Sequence, residues 1–461
     1  MKEQMMSNRA ASGVLTRRTF LKAGAGGAAL ALLPYPRRTV AANEKLNVAC
    51  IGVGGMGSVD SHAVASSPHV RVAAICDVEA GHLERAAKDF RDAKHFRDWR
   101  ELFAELGDRV DAVTVSTPDH THAAVAMTAL RRGKHVYCQK PLTHDLHEAR
   151  QLTQAAARPG LATQMGIQLS SGLGERMGVQ MIQDGMIGKT REVYLWSNKP
   201  PEDLRAKGPR PEGEDPVPES VSWDNWLGTA PARPFKAGVY APARWRGWVD
   251  FGTGWLGDMG CHIINPAFTA LRLPPARAVR AEVEPQWIDA PDRRSETYPQ
   301  WQVIAWEFAG CKLAAGPTLR VTWMDGGKFP PDELLPQIDA EKWQPQGGLY
   351  IGEGGLLLLP HESGPQLFPK EKFAGIKRPE LEPKDHYQRW VDACRGEGRT
   401  NAGFEHSGPL TEMVLLGAVA SRCPGKTLEW DTAGLKFRNS PEANRLVRRK
   451  YRAGWEVEGL S

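Results

Sequence analysis

The segment GTGWLGDMGCH, residues 252–262, contains an acid and a histidine at a spacing that could support chemistry. If the segment is helical, Asp258 and His262 lie one turn apart on the same face. Such a pair could bind a metal ion, transfer protons as an acid–base pair, or only cap and pack the helix. The segment alone leaves these three interpretations open, so the elements that position the pair must decide between them.

A metal site at this pair would need ligands from elsewhere in the chain. Zinc takes three or four protein ligands, and this pair supplies only two; Glu175 and Asp224 are the acids that folding would have to bring in. None of the seven cysteines has CxxC or Cys/His metal spacing. Cys50 and Cys76 fall in predicted buried strands, as small apolar residues. We therefore predict no metal. The odd cysteine count leaves at least one cysteine unpaired within this chain, and the sequence does not pair the others.

The front of the chain has the pattern of a dinucleotide-binding fold. The apolar run LNVACI, 46–51, is followed by GVGGMG, with Gly52, Gly54 and Gly57 in GxGxxG spacing. A second run, VRVAAICD, ends in Asp77, twenty residues after Gly57. The glycines permit a tight turn and let backbone N–H groups approach a pyrophosphate at a helix N-terminus, while the acid can accept ribose hydroxyls. This order of elements predicts a Rossmann domain.

The same pattern favours NAD over NADP as the cofactor. A carboxylate at Asp77 repels a 2′-phosphate, and Val78 supplies no compensating charge. Strands and helices alternate up to about residue 165, which predicts a doubly wound parallel sheet with ligands at the carboxyl ends of its strands. The predicted cofactor-binding residues are Gly52, Gly54, Gly55, Met56, Gly57, Asp77, Ser116, Thr117, Pro118, His120 and Gln139.

A lysine follows a later predicted strand of this sheet. The run KHVYCQKP, 134–141, ends in a proline that fixes its own φ and restricts Lys140. An ammonium at such a strand end could donate to a substrate oxygen near the nicotinamide, although most lysines are merely exposed. We predict a functional role for Lys140. For His120, at the start of the helix before this strand, we predict a place beside the cofactor and no catalytic role.

From about residue 166 the pattern changes to alternating strands with long loops. Runs such as TREVYLWS, 190–197, predict a C-terminal α/β domain with an open, mostly antiparallel sheet.

Five tryptophans shortly precede Asp258, and one or two of them are expected to contact a sugar ring while the rest pack in the core. These are Trp223, Trp226, Trp245, Trp248 and Trp255. Arg246 could bind substrate or form a structural ion pair. The predicted substrate-binding residues are Lys140, Gln168, Arg246, Trp255, Asp258 and His262.

The first 42 residues resemble a twin-arginine export signal. TRRTFLK, 16–22, places two arginines ahead of a short apolar run, and Val40-Ala41-Ala42 offers small residues for cleavage. The run is too short to span a bilayer, which takes ~20 apolar residues. A basic disordered tail is the alternative to export to the periplasm. Without this segment, 52 of 59 basic and 53 of 54 acidic residues remain, a balance that gives no electrostatic reason to bind nucleic acid or anionic membranes.

Four motifs in this order, GVGGMG, STPDHTHA, YCQKPL and GDMGCH, resemble those of the Gfo/Idh/MocA oxidoreductases. That family includes glucose–fructose oxidoreductase and inositol dehydrogenase, and the resemblance spans roughly residues 45–440. It implies an NAD-binding Rossmann domain, 45–165, and a substrate-binding domain, 166–461, whose sheet often forms a homo-oligomer interface. It also implies that Lys140, Asp258 and His262 are catalytic and act around a hydroxyl of a carbohydrate substrate.

The implied mechanism assigns a role to each of these three side chains. His262 accepts the hydroxyl proton, Asp258 orients His262, and Lys140 stabilises the developing alkoxide. Gln139 departs from the family, which usually has glutamate there, so a carboxylate beside Lys140 is lost. Some exported relatives hold NAD tightly and return the hydride. A redox-neutral glycosidase or lyase therefore stays open, as does a noncatalytic sugar-binding protein. The predicted partner is a small carbohydrate, without nucleic acid or membrane insertion.

Overall fold

A computed structural model describes residues 45–198, 206, 208–241 and 244–461. The predicted export segment, 1–42, lies outside the described residues. The described residues fall within one compact unit that contains two sheets. None of the described helices is both long and apolar enough to cross a membrane.

Within the described chain, the first sheet has six parallel strands in the order β3-β2-β1-β4-β5-β6. Its strands are β1 (Leu46–Ile51), β2 (Val70–Cys76), β3 (Lys94–Phe96), β4 (Ala112–Val115), β5 (His135–Cys138) and β6 (Thr163–Met165). Its helices are α1 (Met56–Ala65), α2 (Ala80–Asp89), α3 (Trp99–Leu106), α4 (Asp119–Arg131) and α5 (Leu146–Ala156). The predicted doubly wound sheet is confirmed. The strand order reverses at β1 and β4, and ligands bind at such a switch point, beyond the carboxyl ends of the strands.

The second sheet has nine strands in the described residues, in the order β13-β12-β11-β7-β10-β9-β8-β14-β15. The strands are β7 (Thr190–Ser197), β8 (Ala278–Val283), β9 (Gln302–Ala309), β10 (Thr318–Asp325), β11 (Gln346–Gly352), β12 (Leu356–Pro360), β13 (Gln366–Phe368), β14 (Thr427–Asp431) and β15 (Lys436–Phe437). Neighbouring strands are antiparallel except β7 and β10, which run parallel. The mostly antiparallel sheet is therefore confirmed, with one parallel pair that makes it mixed.

The helices of the back half connect the two sheets. They are α6 (Leu173–Gln183), α7 (Trp223–Leu227), α8 (Gly254–Leu271), α9 (Pro285–Ile288), α10 (Pro291–Glu296), α11 (His386–Cys394), α12 (Phe404–Arg422) and α13 (Pro441–Asn444). One continuous apolar core runs from the first sheet through α8 and α12 to the second sheet. Most of α8 is buried, including Leu256, Cys261 and Ile264. This burial on several sides fixes the helix that carries Asp258 and His262.

Late segments of the chain return to the first sheet. Helix α11 packs on α1, and its Trp390, Val391 and Cys394 join the core beside β1 and β2. The part of the chain after residue 166 therefore also completes the nucleotide-binding half. All seven cysteines lie in the described part of the chain as free thiols, and Cys50 and Cys76 are buried in strands as predicted.

The C-terminal tail is anchored by one arginine that is largely buried. Arg449 Nε lies 2.9 Å from Glu148 Oε1, and its backbone N–H donates to Asp145 Oδ2 at 3.1 Å. Both carboxylates are buried at the start of α5, where they form a capping box. Burial, followed by the charge of Glu148, raises the pKa of Asp145 to about 7. Arg449 is the cation that compensates these acids.

Replacing Arg449 with methionine is expected to destabilise the protein by about 3–5 kcal/mol, the scale for breaking a buried ion pair. The change leaves Glu148, which is 1% exposed, without its cation. Denaturant unfolding at pH 7 measures the effect. Arg445→Met, an exposed position in the same tail, is the control and should change stability by less than about 0.5 kcal/mol. Equal effects of the two substitutions would contradict this interpretation.

Candidate active site

A cleft of about 910 Å³ opens at the switch point of the first sheet. It extends from the glycine-rich turn after β1 to the first turns of α8. Its volume is at the upper end of the range typical of ligand sites, about 300–1,000 Å³. Fourteen of the predicted site residues line it: Gly52, Gly54, Gly55, Met56, Asp77, Ser116, Thr117, Pro118, Gln139, Lys140, Gln168, Arg246, Asp258 and His262. Folding thus brings together side chains that are more than 200 positions apart in the sequence.

Three predicted site residues do not line this cleft. A Cβ at Gly57 would lie 2.0 Å from the carbonyl oxygen of Gly52, so Gly57 permits the close packing of the turn on α1. His120 is fully buried, and its ring contacts the carbonyl oxygens of Trp226 and Phe251. Burial lowers the pKa of His120 to about 3, which keeps it neutral, and it holds the segment beside it instead of the cofactor. Trp255 is a core residue whose Nε1 donates to the Ser197 carbonyl at 3.0 Å.

The glycine-rich turn is fixed by the acid at the end of β2. Asp77 Oδ2 accepts the backbone N–H groups of Val53 and Gly54 at 2.9 and 3.2 Å, and Oδ1 accepts that of Glu79 at 3.0 Å. Gly52 has a φ of 80°, and a Cβ there would lie 2.5 Å from the Ser116 carbonyl oxygen. Only glycine fits this turn, because both the space and the backbone conformation exclude a side chain.

A histidine that the sequence analysis missed lies beside Asp77. His82 Nδ1 lies 3.2 Å from Asp77 Oδ1, although it is not aligned for a hydrogen bond. The contact with Asp77 raises the pKa of His82, against the opposing effect of burial. The ring also lies over Gly54, where a Cβ would meet it at 2.3 Å. A carboxylate has about four lone-pair positions. Three of those on Asp77 accept backbone N–H groups, so a ribose hydroxyl would compete with His82 for the fourth.

Replacing His82 with alanine is therefore expected to strengthen NAD binding several-fold, with a larger effect at lower pH. The raised pKa means that His82 is protonated, and holds Asp77 most strongly, as the pH falls. Calorimetric titration with NAD at pH 6 and pH 8.5 measures the two affinities. His95→Ala, an exposed histidine on β3, is the control and should change neither affinity. Weaker binding to the His82 variant at both pH values would mean that this ring supports the nucleotide.

A buried carboxylate accounts for the glutamine at position 139. Asp60 on α1 is fully buried and accepts Gln139 Nε2 at 2.9 and 3.0 Å, Ser116 Oγ at 2.7 Å and Tyr387 Oη at 2.9 Å. Burial raises the pKa of Asp60, and these hydrogen bonds oppose the rise. A glutamate at position 139 would face this carboxylate, whereas the glutamine amide donates to it. Asp60 is thus a buried acid next to position 139, and Gln139 is a neutral donor to it.

The lysine and the acid of the predicted catalytic group form an ion pair. Lys140 Nζ lies 2.7 Å from Asp258 Oδ1 and also donates to the Asp258 carbonyl oxygen at 2.7 Å. Arg246 Nε lies 2.9 Å from the same Oδ1. Burial alone would raise the pKa of Asp258, but the two cations hold it well below its ordinary value. Arg246 is thus both a cleft residue and the structural partner of Asp258.

His262 differs from the predicted arrangement. Asp258 Oδ1 pairs with Lys140 and Arg246, and within the described chain Asp258 makes no hydrogen bond to His262. The predicted direct contact between Asp258 and the imidazole is therefore not made in this structure, where both cations contact Oδ1. Burial, followed by the charges of Lys140 and His361, lowers the pKa of His262 well below its ordinary value. The imidazole is neutral at physiological pH.

Two of the five tryptophans ahead of Asp258, Trp226 and Trp245, line the cleft. Trp223 and Trp248 pack with Tyr240 in an aromatic cluster beside it. The segment that carries this cluster also pairs with the chain beyond Asp77, through backbone hydrogen bonds at Ala80 and Ser222. Long-range packing thus brings apolar rings to a wall of the cleft.

Asp224 and Glu175, the two acids considered as additional metal ligands, each contact a different side chain. Asp224 forms an ion pair with Arg452 of the tail, and Glu175 accepts Asn265 Nδ2 at 2.5 Å. No group of three or more His, Cys, Asp or Glu side chains able to hold a metal is present in the described ranges.

Two domain models of one protein family match this chain, one in each half of the fold. Residues 46–167 match the oxidoreductase family domain with an NAD-binding Rossmann fold, and residues 203–319 match the C-terminal alpha/beta domain of the same family. Together the matches cover more than half of the chain. The chain belongs to the Gfo/Idh/MocA oxidoreductase family and contains its NAD-binding domain.

Relatives with named activities match less than half of this chain. The levoglucosan dehydrogenase of Pseudarthrobacter phenanthrenivorans is 28% identical over 34% of this chain and 43% of its own length. The glycosyl hydrolase family 109 protein of Saccharopolyspora erythraea is 28% identical over 40% of this chain and 46% of its own. The chain thus spans less than half the length of these relatives. The WlbA dehydrogenase of Bordetella pertussis, solved with NADH and UDP-GlcNAcA, shares the fold at 15% identity and a TM-score of 0.58, covering 84% of this chain and 99% of that one.

Proposed function

We propose that this protein is an NAD-dependent oxidoreductase that acts on a hydroxyl of a sugar, glycoside or polyol and holds its cofactor tightly. The observation that carries the proposal is that Lys140, Asp258 and His262 line the same cleft as the glycine-rich turn. The dehydrogenase activity named for the levoglucosan relative agrees with this class of substrate. The cleft has room for both a dinucleotide and a small substrate.

The residues at one end of the cleft fit a dinucleotide. The turn at Gly52 and Gly57 tolerates no Cβ, and open space lies beside Gly55, where α1 begins. Backbone N–H groups at a helix N-terminus favour a pyrophosphate. Asp77 lies where it can accept ribose hydroxyls, which favours NAD over NADP. When bound, NAD supplies the hydride acceptor for the reaction.

The residues at the other end suit proton transfer from a hydroxyl. His262 is neutral and lines the cleft, so it can accept the hydroxyl proton. Lys140 Nζ can donate to the oxygen as negative charge develops there. Asp258 keeps Lys140 and Arg246 in place through its ionised carboxylate. Asp258 therefore positions the two cations, and a different group must orient His262.

The first experiment is to identify nucleotide carried by the purified mature protein. The protein is denatured and the released nucleotide is identified by mass spectrometry, with NAD or NADH expected in stoichiometric amount. Incubation with candidate sugars, glycosides and polyols then follows absorbance at 340 nm, where oxidation gives NADH. Bond cleavage without lasting NADH would instead favour a redox-neutral hydrolase, a possibility prompted by the glycosyl hydrolase name of one relative. Neither nucleotide binding nor turnover would contradict the proposal.

Export and assembly complete the proposal. A twin-arginine signal at 1–42 would export the protein after it has folded around its cofactor. The nine-stranded sheet is the surface proposed for homo-oligomer formation. Cell fractionation with the signal intact and with Arg17 and Arg18 both replaced by lysine tests export, and light scattering on the mature protein tests its assembly.

A further inference from the structure

A small cavity lies next to the cleft, and His262 lines both spaces. The volume of the cavity is about 10 Å³. That is enough for one water molecule when polar partners are present.

Polar atoms converge on this cavity from three elements. His262 Nδ1 on α8 and Tyr350 Oη on β11 are buried and have no hydrogen-bond partner in the described residues. Glu175 on α6 also lines the cavity, as does His361 after β12, whose ring meets that of His262 edge-on at 5.7 Å. Buried polar atoms without partners are costly, which favours a bridging water here.

We propose that Glu175, acting with Tyr350 through a water molecule in this cavity, is a positioning residue that fixes which nitrogen of His262 carries the proton. The inference rests on the proposed function, in which His262 accepts the substrate proton. It supplies the orienting group that Asp258, occupied by two cations, does not provide.

The two protonation states of Glu175 give opposite tautomers. An ionised Glu175 accepts from the water, which then accepts Nδ1–H, so Nε2 is left unprotonated and can take the hydroxyl proton. A protonated Glu175 donates to the water, which then donates to Nδ1, so that Nε2 carries the hydrogen. The imidazole keeps one proton in both states, and the proton released by Glu175 goes to solvent.

The surroundings of Glu175 place this change near neutral pH. The groups around Glu175 are Asn265 and His262 from α8, Tyr350 from β11 and His361 after β12. His406 of α12 contacts Asn265, with its Nε2 2.7 Å from Asn265 Oδ1. Burial raises the pKa of Glu175 to about 8, and the hydrogen bond from Asn265 opposes the rise. His262 is therefore expected to become the better proton acceptor as the pH rises through about 8.

Nitrogen NMR of the full-length protein labelled in its histidine rings tests the proposal without any substrate. The His262 signals are assigned by their loss in His262→Gln. Wild type should show a change of tautomer with a midpoint near pH 8, and Glu175→Gln should abolish it. Absence of this step in the wild type, or an identical step in Glu175→Gln, would overturn the proposal. Neither result depends on turnover, so the proposed reaction is tested separately.

A second pair of variants guards against misfolding of Glu175→Gln. Tyr350→Phe removes the tyrosine hydroxyl from the cavity. It should raise the midpoint of the His262 tautomer change by about half a pH unit, because a donor that stabilises ionised Glu175 through the water is lost. Tyr194→Phe is the matched control, since Tyr194 lies on β7 beside β11 and packs on the opposite face of the sheet. It should leave the midpoint unchanged. Equal midpoints in wild type and Tyr350→Phe would show that this hydroxyl does not contact the proposed water.

Discussion

Replacing His262 with alanine is expected to lower turnover by at least ~100-fold, the usual scale of general acid–base catalysis. The residue is half-buried and lines the cleft, and its lowered pKa keeps it neutral and able to accept a proton. Alanine removes the acceptor, and the pair Lys140–Asp258 stays in place because it does not contact the ring. Steady-state kinetics with a substrate found by the NADH screen measure kcat and KM.

The NAD affinity of the His262 variant separates a chemical role from a structural one. The glycine-rich turn lies at the far end of the cleft, so the affinity should stay within about twofold of wild type. His95→Ala, the exposed histidine on β3, should retain full turnover. An unchanged rate in His262→Ala would remove this residue from the mechanism.

Replacing Lys140 with methionine is expected to lower turnover by about 100–1,000-fold, the range found when one donor to a developing oxyanion is removed. Methionine keeps much of the volume of the lysine stem and removes the ammonium. Asp258 then keeps only Arg246 as its cation, so its pKa should rise from the depressed value of the wild type. The loss of rate should therefore be largest at low pH, where more of the Asp258 carboxyl becomes protonated.

The measurement is the pH profile of kcat/KM for wild type and Lys140→Met. Lys88→Met, near the end of α2, is the control for a lysine that lies outside the cleft. Thermal unfolding of both variants checks that the fold is intact. Rates within twofold of wild type across the profile would contradict the assignment of Lys140 to the developing alkoxide.

Local patterns in the sequence predicted the nucleotide-binding half in detail. Glycine spacing, apolar runs and the terminal acid are local patterns, and each has a direct physical cause in turn geometry or strand burial. They predicted β1, the turn at Gly52 and the position of Asp77. The cap of α3 is an equally local feature, because the Asp98 side chain accepts the N–H of Arg100 at 2.8 Å. The helical spacing of Asp258 and His262 was correct for the same reason, since α8 carries both.

The groups that these residues contact depend on tertiary packing and could not be predicted from the sequence. Asp258 is paired with Lys140 and Arg246 and not with His262, because folding brings two cations to one carboxylate oxygen. Gln139 donates to the buried Asp60, and His82 lies beside Asp77. None of these contacts has a sequence pattern, because each joins separate elements whose distance depends on the packing of the whole core. Such long-range contacts also place His120 and Trp255 in the interior, whereas the sequence predicted them at the ligand site.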